Sequence, residues 1–228
     1  MSLNSPAPTA RTRIKICGLR EPRHVDIAVK SGADALGFVL YPPSARAISL
    51  ALCAELSRRV PAFVSTVALF VNPTHQEVES ALSTARIDLL QFHGSESEAF
   101  CAGFGRPYLK AIAVDESFDL LQSELQYASA AALLLDTPSA GHGGSGKTFD
   151  WQLINTANTD NTPKRLSARA PALVLSGGLT AANAADAIRV VRPFAVDVSS
   201  GVEETRGVKN SELIENFCRA VRLADASM

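Results

Sequence analysis

The chain has 228 residues, a formal net charge of −1 and 46% hydrophobic residues. That is enough to bury the core of one large domain or two small ones. With neither a basic excess nor an acidic tail, nothing points to nucleic acid or to a cationic partner, whereas a small anionic substrate needs only a local cluster of donors.

Residues 1–12, MSLNSPAPTART, are polar and Pro-bearing with no apolar h-region, and read as a disordered leader. A single domain is expected over 13–228. In it, short apolar runs alternate with helical patterns. Strands are expected at 13–18, 35–40, 64–71, 88–92, 108–113, 131–136, 172–176 and 194–198. They are rich in Val, Ile, Leu, Ala and Phe, as parallel strands covered on their outer face should be. None is long enough to span a bilayer. Helices are expected at 21–31, 49–60, 74–85, 96–103, 117–129, 150–156, 180–190 and 207–224. The first opens with Glu21-Pro22 and stops at Gly32; the third carries Glu77 and Glu79 early. The stretch 155–170 is polar, rich in Asn and Thr, and reads as an excursion before the seventh strand.

Strict alternation predicts an α/β fold with a parallel sheet. Eight units in this length fit a single-domain (β/α)8 TIM barrel better than an open doubly wound sheet. No G-x-G-x-x-G follows the first strand. The four cysteines, Cys17, Cys53, Cys101 and Cys218, are far apart and form no C-x-x-C pair or His/Cys cluster. This argues against a metal site and for a reducing, cytoplasmic setting.

Active sites of such barrels lie at the C-terminal ends of the strands, and the unusual residues collect there. Cys17 ends strand one. Alternation puts it on one face with Lys15, while Ile14 and Ile16 face the helices. A cysteine there is either an inert buried side chain or a proton-transfer base. Arg46, in YPPSARAIS, offers a fork for a carboxylate, or is a solvated surface residue. His93 ends strand four as a ligand-binding group or a satisfied residue before a helix. Asp136 ends apolar strand six; burial would raise its pKa and suit a general acid, whereas the plain alternative is a turn cap. Gly177-Gly178 and Ser199-Ser200-Gly201 follow strands seven and eight, the turns where barrels often hold phosphate. Lys110 suggests a Schiff base, but its early place in strand five favours a structural role. The run GHGGSGKT from Gly141 has P-loop spacing but lacks the long helix that motif demands.

Taken in order, KICGL (15–19), GFVLYPPSAR (37–46), ALFVN (68–72), LLQFHG (89–94), LLLDT (133–137), GSGKTFDW (144–151), LSGGL (175–179) and VDVSSGVE (196–203) resemble the phosphoribosylanthranilate isomerase family of tryptophan biosynthesis. The resemblance implies an Amadori rearrangement of N-(5-phosphoribosyl)anthranilate to 1-(o-carboxyphenylamino)-1-deoxyribulose 5-phosphate. It implies Cys17 as general base, Asp136 as general acid and Arg46 as clamp on the anthranilate carboxylate, with the two Gly- and Ser-rich turns as the phosphate cradle. No redox step or water attack occurs, so no cofactor or metal is implied. The partner is a small phosphorylated substrate, and the chain is expected to be a monomer or homodimer. The family usually shows Ser-Pro-Arg where this chain has Ser44-Ala45-Arg46, so a looser loop is expected. Two rivals are a histidine-pathway aminoaldose–ketose isomerase, which has an Asp in place of Cys17, and a non-catalytic phosphate-binding barrel.

Overall fold

In the computed structural model, which describes residues 11–138, 148–154 and 170–228, the eight apolar runs lie side by side as parallel strands. They are β1 (Arg13–Cys17), β2 (Ala35–Val39), β3 (Ser65–Phe70), β4 (Leu89–Phe92), β5 (Tyr108–Ala113), β6 (Ala132–Asp136), β7 (Ala172–Leu175) and β8 (Ala195–Val198). Each pairs with the next, and β8 returns to β1 with Asp197 opposite Lys15 and Val198 opposite Ile16. The barrel is therefore closed and leaves no open edge.

The period of two sorts the strand residues as expected. Ile14 and Ile16 are fully buried between the sheet and the helices, against Val25, Ala28, Phe217 and Val221. The barrel interior holds a second cluster built on Val67, Leu109, Ala111, Leu134 and Val174. A third, at the rim, contains Cys17, Val39, Leu69 and Val71.

Helices α1 (Pro22–Lys30), α2 (Leu50–Arg58), α3 (His75–Thr84), α4 (Glu98–Ala102), α5 (Leu120–Gln126), α6 (Ala184–Val191) and α7 (Ser211–Ala226) cover the outside. Their starts have local causes. Pro22 opens α1, Ser49 caps α2 and Asn210 caps α7. Thr74 and Glu77 form a reciprocal capping box on α3. Caps at Ser97 and Asp119 explain why α4 and α5 begin later than 96 and 117.

Several expectations need correction. The leader does not extend to residue 12: Arg11 pairs with Asp34, and buried Thr12 donates through its N–H (2.9 Å) and hydroxyl (2.6 Å) to Asp225 of α7. Residues 1–10 lie outside the described residues. Of the helix expected at 150–156, the described part holds a 3-10 turn, Trp151–Ile154, and 155–156 lie outside the described residues. The last helix begins at Ser211 rather than 207, because a small antiparallel hairpin precedes it: β9 (Glu203–Thr205) and β10 (Val208–Lys209) turn at Gly207 and set Glu203 beside Lys209. The Gly-rich run at 141–147 and most of the polar stretch at 155–170 lie outside the described residues.

Lys110 sits on the outward face of β5. Its ammonium donates to Gly94 O at 2.6 Å and pairs with Glu96 at 3.3 Å, both side chains being 2% exposed. It ties the loop after β4 to the barrel and faces away from the interior.

Candidate active site

Cys17 ends β1 almost fully buried, opposite Gly37 of β2. A Cβ at residue 37 would lie 2.8 Å from Cys17 Sγ, so the glycine makes room for the thiol. Below it, inside the barrel, Lys15 and Asp197 form an ion pair at 2.8 Å, with side chains 4% and 5% exposed. Burial holds the Cys17 thiol above its ordinary pKa. Lys15 and Lys209 pull it down and Asp197 pushes it up, and burial prevails.

Asp136 ends β6. Its Oδ1 accepts from the Thr137 N–H at 2.8 Å, and its Oδ2 lies 3.2 Å from His93 Nε2. His93 Nδ1 in turn lies 3.2 Å from Nε2 of Gln91, a fully buried residue of β4. With the amide donating there, Nε2 of the imidazole carries the hydrogen and donates to Asp136. His93 is thus a hydrogen-bonded residue ahead of α4, placed between Gln91 and Asp136 at the rim.

Arg46 is 7% exposed. Its Nε and Nη2 donate to Glu203 Oε1 and Oε2 at 2.7 and 2.8 Å. Its guanidinium also lies within electrostatic reach of Cys17 and Asp136, so the three residues share one rim. Gly18 (φ 81°) leaves space for the arginine shaft, because a Cβ there would lie 2.7 Å from Arg46 Cδ. Ala45, in place of the expected proline, does not leave the loop free: Arg20 Nη1 donates to Ala45 O at 3.0 Å and to Gly207 O at 3.4 Å.

The two turns meet the same rim. Gly177, at φ 82°, packs on Asp136 and Thr137, and Gly201 packs on the Leu179 carbonyl. Among the described residues, the backbone N–H groups of Gly177, Gly178, Ser200 and Gly201 donate to no partner. Ser199 is different. Its hydroxyl donates to Cys17 O at 3.1 Å and accepts from Lys209 Nζ at 3.2 Å, so it is engaged within the protein.

Four participants were not singled out from the sequence: Gln91, Asp197, Glu203 and Lys209. Asp197 carries a usable signal, a charge inside the apolar run AVDV. Gln91 in LLQF carries a weaker one. Glu203 and Lys209 meet only because a hairpin forms, and no periodicity announced it.

A closed (β/α)8 barrel with a carboxylic acid, a thiol, a held arginine and two open glycine-rich turns on its C-terminal rim has the layout of a barrel enzyme for a small anionic substrate. The chain matches the family model of N-(5'phosphoribosyl)anthranilate (PRA) isomerase over residues 14–220 and belongs to that family. It is 52% identical to the N-(5'-phosphoribosyl)anthranilate isomerase of Leptothrix cholodnii, over 95% of this chain and 94% of that one. Identity to the Methylibium petroleiphilum protein of the same name is 50%, over 95% and 96%. The crystal structure of the Thermotoga maritima phosphoribosyl anthranilate isomerase superposes with a TM-score of 0.81 at 39% identity, covering 92% of this chain and 98% of that one. Another solved phosphoribosyl anthranilate isomerase, in complex with reduced 1-(o-carboxyphenylamino)-1-deoxyribulose 5-phosphate, gives 0.78 at 37% identity, covering 92% and 98%. No helix among the described residues is long and apolar enough to cross a membrane.

Proposed function

We propose that this chain isomerises N-(5-phosphoribosyl)anthranilate by an Amadori rearrangement, as a step of tryptophan biosynthesis, with Asp136 as general acid and Cys17 as general base. The observation that carries the reading is the convergence of Asp136, Cys17 and Arg46 on one rim, beside turns whose N–H groups are open. The name of a bound ligand in a related structure, a reduced form of the product, fits the same chemistry.

In the proposed reaction Asp136 gives a proton to the furanose ring oxygen, and the C1–O bond breaks as the aniline nitrogen supplies its electron pair. The carboxylate left on Asp136 keeps two donors, the Thr137 N–H and His93 Nε2. The iminium so formed makes the C2 proton acidic. Cys17 removes it, and the enolamine that results tautomerises to the ketone. Arg46 meets the anthranilate carboxylate through the guanidinium edge that Glu203 leaves free. The open N–H groups of Gly177, Gly178, Ser200 and Gly201 hold the phosphate. Atoms balance within the substrate, so no redox partner enters. Four free, buried cysteines support a cytoplasmic setting.

The test follows the fluorescence of anthranilate compounds. Phosphoribosylanthranilate generated in situ should lose fluorescence rapidly with this protein. Asp136→Asn and Cys17→Ala should each lower kcat by about two to four orders of magnitude. An unaffected rate in either variant removes that residue from its role, and no acceleration by the native chain removes the activity.

A further inference from the structure

Four hydrogen bonds converge on one carboxylate that the rearrangement does not use. Glu203 accepts from Arg46 Nε and Nη2 at 2.7 and 2.8 Å, from Lys209 Nζ at 2.8 Å and from the Gly207 N–H at 3.1 Å. The Arg46 and Glu203 side chains are 8% and 4% exposed. Burial alone would push the Glu203 carboxyl up, but Arg46 and Lys209 hold it below the usual carboxylate range. A sealed carboxylate with two cations is a weak source of stability, since desolvation offsets most of the attraction. Its geometry explains more than its energy does.

An arginine has two edges that each match a carboxylate: Nε with Nη2, and Nη1 with Nη2. Glu203 occupies the first with near-equal bonds, which fixes the guanidinium plane. Among the described residues, Nη1 has no partner. The second edge is thus left open in a guanidinium within electrostatic reach of Cys17 and Asp136. The chain of contacts continues from Glu203 through Lys209, which donates to Ser199 O at 2.8 Å, into the turn after β8.

We propose that Glu203 is a positioning residue for substrate recognition. It grips one edge of Arg46 so that the other is presented to the carboxylate on the aromatic ring of the substrate. Through Lys209 and Ser199 it also fixes the spacing between that edge and the phosphate turn. The proposal deepens the function above and rests on Arg46 being the carboxylate contact.

The sign of one substitution separates orientation from charge. Removing a negative charge beside Arg46 would, by Coulomb's law alone, tighten the binding of an anion. Orientation gives the opposite result, because an unheld arginine has to be ordered when the ligand binds. Calorimetry on the full chain would use two probes. One is reduced 1-(o-carboxyphenylamino)-1-deoxyribulose 5-phosphate, and the other is the same molecule without its carboxyl group. The readout is the ratio of their affinities. In Glu203→Gln the carboxylated probe should weaken about tenfold relative to the other, as expected when an ordered contact becomes a mobile one. Because that variant leaves two buried cations unbalanced, Glu203→Gln with Lys209→Met, which restores the charge, carries the same expectation for the ratio. An unchanged ratio, or a preference shifted further toward the carboxylated probe, overturns the positioning role. A native chain that binds both probes alike overturns the Arg46 contact and this proposal with it, while the fluorescence assay still decides the isomerase activity separately.

Discussion

Gly37→Ala would set a methyl group where β2 faces the end of β1. Its carbon would lie 2.8 Å from Cys17 Sγ, 3.1 Å from Cα and 3.2 Å from Cβ. Optimal separation of such atoms is about 3.5–4.0 Å, so the sulfur has to retreat by about 1 Å. The β1 backbone has little freedom to follow, being laddered to β2 on one side and β8 on the other. The thiol therefore turns toward Val39, Leu69 and Val71. Overpacking of this kind costs about 1–3 kcal/mol. For 228 residues at about 2.1 cal/mol/K each, the unfolding entropy is about 0.5 kcal/mol/K, so Tm should fall by about 2–6 °C. A reacting group displaced by about 1 Å loses about 100-fold in rate. The fluorescence assay should show that loss in kcat, with KM little changed because Arg46 and the glycine-rich turns are untouched. The thermal cost should shrink in a Cys17→Ala background, where the sulfur is gone. If Gly37→Ala lowers Tm as expected and keeps native kcat, the position of the thiol is irrelevant and the base is another group.

Two further outcomes follow from the buried charges and thiols. Lys110→Met removes the partner of Glu96, which is 2% exposed. Glu96 keeps the N–H donors of Asn72 and Gly94, so the cost should lie near the lower end of the about 3–5 kcal/mol of a broken buried pair, a Tm fall of about 6 °C on the same entropy scale. The folded variant should keep native kcat; a proportionate collapse of kcat would return Lys110 to the chemistry. The second outcome concerns alkaline pH. Burial raises Cys53 and Cys218 to about 11 and Cys101 to about 12, from 9.0. Above pH 9 the unfolded chain has lost thiol protons that the fold retains, so stability falls as pH rises, with a slope approaching about 4 kcal/mol per pH unit for three thiols. Denaturation midpoints should drop from about pH 9, the ordinary thiol value, to about pH 11, where Cys53 and Cys218 begin to ionise in the fold, and a flat profile would mean that these thiols ionise freely in the fold.

The strands were legible because each is a short apolar run with a definite inner and outer face. Ile14 and Ile16 against Lys15 and Cys17 is the clearest case. The site was legible for a related reason: once eight units were counted, every unusual residue at a strand end had to lie on one rim. Helix ends were less so, since caps such as Ser97 and Asp119 compete with equally plausible neighbours. The hairpin before α7 was missed because its strands, three and two residues long, carry no period. With it went the pairing of Glu203 with Arg46, 157 residues apart. Such a pairing is set by where two loops land, which local propensity does not encode. The contacts of the Ser44-Ala45-Arg46 loop were hidden on the same ground: besides its own turn bonds, Ser44 N–H to Tyr41 O and Ala47 N–H to Ser44 O, it is held by Arg20 and Glu203 from distant loops.

The raised pKa of Cys17 looks contrary to a base, and the order of events in the proposed reaction resolves this. Asp136 acts first, and ring opening leaves a cationic iminium beside the carbon whose proton Cys17 must take. That positive charge favours the thiolate at the step that needs it. The cations near the sulfur are each paired with a carboxylate: Lys15, which also hydrogen-bonds Cys17, with Asp197, and Arg46 and Lys209 with Glu203. Were they unpaired, they would pull the thiol pKa down further against burial and favour the thiolate, the form that oxidants and electrophiles attack. Pairing them leaves burial to hold the thiol pKa above its ordinary value, so the base is the thiolate formed when the thiol proton is lost to solvent ahead of that step. Asp197→Asn follows from this reasoning. With Lys15 released, the Cys17 thiol should ionise at lower pH and react faster with a thiol reagent, and an unchanged reaction rate would show that the Lys15–Asp197 pair does not govern it.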